Sequence, residues 1–188
     1  MLSVLVTFAI VALLFFWALA TYNRLIGLRN QVQNGWRQID VQLKRRHDLI
    51  PNLVNTVRGA MEFERDTLEA VISARNRAAT ASGPADAAAK EGELTQALGR
   101  LFALVEAYPQ LTANQNVRAF QEELTATENK VGFARQFYND IATTYNTATQ
   151  VVPANLIASL GSFPPAELFE IKDEAERAVP TVDLTMKR

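Results

Sequence analysis

Hydrophobic side chains are continuous over the first twenty residues of this chain and periodic after them. Residues 2 to 20, LSVLVTFAIVALLFFWALA, hold no charge, and only Ser3 and Thr7 are polar. Nineteen residues at about 1.5 Å each cross the roughly 30 Å hydrocarbon layer of a bilayer. The run therefore predicts a transmembrane anchor over residues 1–21 that meets lipid through residues 2–20. No basic side chain precedes it, and Phe15, Phe16 and Trp17 crowd its end, unlike a cleaved signal peptide. Beyond it come Arg24, Arg29, Arg37, Lys44, Arg45 and Arg46, with Asp40 the one acid among them. By the positive-inside bias the N-terminus faces out and the remainder is cytoplasmic.

After the anchor, apolar residues recur in steps of three and four at Leu25, Leu28, Val32, Trp36, Ile39 and Leu43, one helical stripe with no polar break from the membrane segment. A second stripe runs from Ile50 through Leu53, Val54, Val57, Met61, Leu68, Val71 and Ile72 to about Ala79. Residues 79 to 89, ATASGPADAAA, read as a flexible connection. A third helix is expected from about Ala87 to Ala107, stopped by Pro109. The fourth is the most regular, with a seam of Val117, Phe120, Leu124, Thr127, Val131, Ala134, Tyr138, Ile141, Tyr145 and Ala148. Such a seam suits shallow-angle, coiled-coil-like packing. These elements predict an all-α fold: the anchor helix continuous with an up-down-up-down antiparallel four-helix bundle over residues 22–150. Residues 151–188 change character, mixing Pro, Gly and apolar residues before a charged end, and predict an irregular tail that docks or is partly disordered.

Composition narrows the chemistry. Nineteen Lys and Arg stand against 20 Asp and Glu, so no net field draws the chain to nucleic acid. Without cysteine, and with one histidine, thiol chemistry and Cys/His zinc sites are excluded. No catalytic residue, cofactor, metal or small-molecule substrate is expected.

One stretch stands out, QLKRRHDLIPNL at residues 42 to 53. Lys44, Arg45 and Arg46 suit the negative end of a helix. Asp48 sits where an N-cap belongs, and Pro51 would fall in the first turn of a new helix, where its missing N–H is harmless. The expectation is stop, turn and restart between Arg46 and Pro51. From Ala20 to Lys44 is about 36 Å of helix, against a screening length of about 8 to 10 Å, so the triplet is out of reach of the headgroups and marks a distal hairpin tip.

The segments YNRLIGLRNQVQNGWRQIDVQLKRRHDLIPNLVNTV (22–57), EAYPQL (106–111) and ENKVGFARQFYNDIATTYN (128–146) resemble the LemA family of bacterial membrane proteins, and the similarity covers nearly the whole chain. The resemblance implies a single N-terminal span in the bacterial inner membrane, a cytoplasmic four-helix bundle and no established catalytic activity. It also implies an adaptor role beside a membrane-bound zinc protease of the heat-shock type. Gly35, where the family tends towards Ala or Ser, and Gly83-Pro84 are local departures.

Each candidate site has a plainer reading beside it. His47, next to Asp48, suits a general base or ligand, or a partly exposed residue at a turn. Glu62, Glu64, Asp66, Glu69, Glu122, Glu123 and Glu128 are carboxylates of the kind that hold a bundle metal, but paired Glu-x-x-His motifs need two histidines, so a solvated face is expected. The dipeptides Tyr22-Asn23, Tyr138-Asn139 and Tyr145-Asn146 suit a hydrogen-bonded layer fixing register between the first and fourth helices, or a partner contact. Lys44 to Arg46 form a solvated helix end, or meet an acidic surface such as Glu167, Glu170, Asp173, Glu174 and Glu176 of another subunit in a homo-oligomer. Leu156, Ile157, Leu160 and Phe163 suit an amphipathic wedge at the bilayer surface. Two functions compete: a non-enzymatic membrane scaffold or adaptor that self-associates, and a membrane-surface remodeller using that wedge.

Overall fold

The computed structural model describes residues 1–61 and 63–170. Within them the chain forms six helices and no strand: α1 (Leu2–Val57), α2 (Arg65–Ala79), α3 (Pro84–Glu106), the single-turn α4 (Pro109–Thr112), α5 (Gln115–Gln150) and α6 (Ala154–Leu160). The start of α1 is apolar and long enough to cross a membrane, and none of that stretch is buried within the protein. This is a membrane protein whose anchor and first bundle helix are one rod of 56 residues, about 84 Å long. Gly35 does not interrupt it. Gly35 is buried against the Tyr138 side chain, where an added Cβ would make ordinary contact at 3.5 Å.

The expected reversal between Arg46 and Pro51 does not occur. α1 runs through Pro51 to Val57, and the chain reverses between α1 and α2. An interior proline removes the bond from its own nitrogen to the carbonyl four residues back, here His47. The Nε–H of Arg75 on α2 donates to that carbonyl at 3.1 Å, replacing the lost donor. Asp48 is exposed and caps nothing in this unbroken helix. The true turn lies where the second stripe jumps seven residues, from Met61 to Leu68, with Glu64 and Arg65 between them.

α2 and α3 form an antiparallel pair on the distal half of α1 and α5. Gly83, at φ 86°, adopts a left-handed conformation that glycine accepts, and Pro84 starts α3 at its first turn, so the expected 79–89 connection shrinks to residues 80–83. α5 begins with Asn114, whose side chain accepts from the Asn116 N–H at 2.9 Å. It returns antiparallel to α1 with Glu128 beside Arg46 and Tyr138 beside Gly35.

Two cores result. The distal one joins α1, α2, α3 and α5 through Ile50, Leu53, Leu68, Leu94, Leu101 and Leu124. The proximal one lies mainly between α1 and α5, around Leu25, Ile39, Tyr138 and Tyr145, with Ala87 and Ala88 of α3 and Ala158 of α6 at its edges, and it is closed by Phe163 and Phe169 from the segment after α6.

Candidate functional site

Residues 161–170 leave α6 and lie along the groove between α1 and α5 as an extended strap. Phe163, Ala166 and Phe169 turn inward, while Pro164, Pro165 and Glu167 face solvent. This is a three-residue repeat, the period of a polyproline II helix. Tyr145 and Tyr138 donate their hydroxyls to the carbonyls of Pro164 and Glu167 at 2.8 and 2.6 Å. Asn146 brackets Ala166, donating to its carbonyl at 2.9 Å and accepting from its N–H at 2.7 Å. Asn139 does the same to Phe169, at 3.2 and 2.9 Å.

Two Tyr-Asn pairs seven residues apart are separated by about 10.5 Å along a helix, and three residues of extended chain cover about 9.3 Å. The two repeats are nearly commensurate, so each pair meets the strap one step further on. Trp36 packs its ring 6.1 Å from Phe169 and 6.0 Å from Tyr138, and Arg29 lies 5.2 Å over the Phe163 ring. Burial raises the phenol pKa of both tyrosines. At Tyr138 the Glu167 carboxylate adds to the rise, while at Tyr145 the Arg29 cation opposes it.

The hydroxyls and amides of Tyr138, Asn139, Tyr145 and Asn146 thus bond to the strap and not to the first helix. Tyr22 touches the same site only through its ring, 5.5 Å from Phe163, and Asn23 is exposed. Gly161 makes the tight exit from α6: a Cβ there would lie 2.5 Å from a Phe163 ring carbon.

The basic triplet is not a tip, and its three members differ. Lys44 is exposed; Arg45 is exposed and pairs with Glu123 at 2.5 Å. Arg46 is 3% exposed, bonded to Glu91 at 3.0 Å and to the Thr95 hydroxyl at 2.9 Å, with Glu128 at 3.7 Å. His47 is not a half-exposed turn residue: it is 7% exposed, with Nε2 2.5 Å from the other oxygen of Glu91. Glu91 is the residue that sequence reasoning missed. The signal was an acid on the apolar stripe of α3, three residues after Ala88 and three before Leu94.

Within the chain Glu167 lies beside Gly83. Glu62, Asp173, Glu174 and Glu176 fall outside the described residues. Of the proposed wedge, Leu156 and Leu160 are exposed, Ile157 is half-buried and Phe163 is buried in the strap site.

A membrane helix continuous with a helical bundle, its base closed by a backbone-bound strap, defines an anchored helical-bundle protein. The description of the LemA family matches residues 35–184, and the chain belongs to that family. It is similar to magnetosome protein MamQ 2 of Paramagnetospirillum magneticum, with 26% identity over 97% of this chain and 75% of the relative. Magnetosome protein MamQ of Magnetospirillum gryphiswaldense is 24% identical over 87% of this chain and 70% of its own length. Protein LemA of Metamycoplasma hominis is 24% identical over 79% and 68%.

Proposed function

We propose that this protein is a non-enzymatic scaffold of the bacterial inner membrane, N-terminus outside and bundle in the cytoplasm, which self-associates and presents its bundle to a partner. A membrane-bound zinc protease is the partner class suggested by the family resemblance. The observation that carries the reading is the unbroken α1 from Leu2 to Val57, which holds the bundle at a fixed distance from the bilayer. His47, Arg46 and Glu91 are buried against one another, which supports a packing role for them. Three relatives are named for a cell structure, the magnetosome, and not for a reaction, which supports a structural role. Crosslinking in intact membranes, then mass measurement of the complex extracted in mild detergent, is expected to give a species larger than one chain. Recovery of monomers alone would overturn the reading.

A second reading has its own observation. No residue from Val151 to Ala166 is charged, and Val151, Val152, Leu156 and Leu160 are exposed at the end of the bundle where α1 leaves the apolar span. That base is suited to lie on the bilayer surface. With residues 1–21 deleted, the protein is expected to float with liposomes and to lose that binding on Leu156→Asp with Leu160→Asp. Equal binding by both forms removes the idea.

A further inference from the structure

A second groove lies on the flank of the α1–α5 pair that the strap and the α2–α3 pair leave open. Val41, Phe133 and Phe137 are 61%, 74% and 50% exposed, and they line a groove of about 600 Å³. Single exposed apolar residues are ordinary, but three around one concavity mark an interaction surface. Arg37 and Lys130 stand in the same wall. Neither has a carboxylate within 4.0 Å among the described residues, whereas Arg45, Arg46, Arg77 and Lys90 each do. The side-chain oxygen of Gln42, also in this wall, is buried without a hydrogen-bond partner.

We propose that this groove docks one amphipathic helix of a different protein, apolar on its inner face and flanked by carboxylates. The inference rests on the scaffold reading and names its contact surface. The strap site shows what an extended occupant demands: four polar side chains that satisfy its backbone. Here no tyrosine or asparagine brackets an occupant's backbone: the wall's polar groups are the two cations, which suit carboxylates, and Gln38 and Gln42, so its occupant has to satisfy most of its own backbone, as a helix does. Charge selects the partner. A second copy docked face to face would bring Arg37 and Lys130 against their like, while carboxylates would pair with both cations. Distance excludes lipid: Val41 is 21 residues beyond Ala20, about 31 Å up the rod.

The test uses the full-length protein in nanodiscs and a synthetic helical peptide with Leu at positions i, i+3, i+4 and i+7 and flanking Glu, read by fluorescence anisotropy. A peptide with Lys in place of Glu is the control. The Glu peptide is expected to bind at least tenfold tighter than the Lys peptide. Phe133→Asp should abolish binding, and Arg37→Glu with Lys130→Glu should reverse the preference. Equal binding of the two peptides, no binding of the Glu peptide, or indifference to Phe133→Asp overturns the proposal. Photo-crosslinkers replacing Phe133 or the exposed Arg100 in native membranes separate it from the scaffold reading. A foreign protein caught from Arg100 alone refutes this groove and keeps the scaffold. Capture from neither position, with only monomers extracted, refutes both. A second copy caught at 133 refutes a foreign partner. A foreign protein caught at 133 and displaced by the Glu peptide supports it.

Discussion

The two halves of the bundle close the α1–α5 pair by different means. Distally, two further helices supply apolar side chains, and the backbone is bonded chiefly within each helix, with the His47 carbonyl freed by Pro51 taken up by Arg75. Proximally, the cover is a strap of about ten residues whose carbonyls and amides have no helix or sheet to join. Tyr138, Asn139, Tyr145 and Asn146 stand in for that missing ladder. The distal half is held by buried area, which is non-directional. The proximal half is held by directional bonds at fixed spacing.

The largest effect is expected where the halves meet. Glu91→Ala leaves Arg46 and His47 buried without their shared carboxylate, and removing one partner of a buried ion pair costs about 3–5 kcal/mol. Chemical denaturation in detergent checks this: a loss below about 1 kcal/mol would show that solvent reaches the pair.

Asn139→Ala with Asn146→Ala strikes only the proximal half. Each change frees one strap N–H and one carbonyl, and since these part-buried groups can turn to water, about 1 kcal/mol per change is expected, the low end of the range for unpaired groups. Limited proteolysis should then cut within residues 161–170 while the distal helices stay protected. Simultaneous loss of both halves would mean that they do not behave as separate units.

Alkaline pH should release the strap by another route. The folded state of Tyr138 and Tyr145 favours the neutral phenol, so their contribution is complete below the ordinary tyrosine value of 10.0 and is lost as pH rises through the higher folded values. The distal Tyr108, bonded to Glu64, is also raised, by burial first and then by that carboxylate. The discriminating measurement is hydrogen exchange at residues 164–169 in the double variant Tyr138→Phe with Tyr145→Phe. The alkaline step there should vanish.

The smallest change is expected at Arg45→Ala, because its pair with Glu123 is exposed; about 0.2–1 kcal/mol is the range for such pairs. A larger loss would make the outer surface part of what joins the halves.

The membrane segment and the seam of α5 were legible from periodicity, since a helix depends on neighbours three and four residues away. The Tyr-Asn repeat was legible as a polar pattern, but its partner was not: nothing local says that residues 164–169 would lie against it. The groove at Val41, Phe133 and Phe137 was hidden because these residues fall outside the seam, where an i, i+4 aromatic pair reads as scatter.

The sequence by itself determined the helical periods and the apolar anchor, because these depend on residue type and near neighbours. Tertiary structure alone decided that α1 continues through Arg46 to Pro51, and that a tail becomes part of the core. The signals to stop were real, but Arg75 replaces the bond that Pro51 removes and Glu91 pairs with the buried Arg46. Both come from helices that meet α1 only after the chain has folded back on itself.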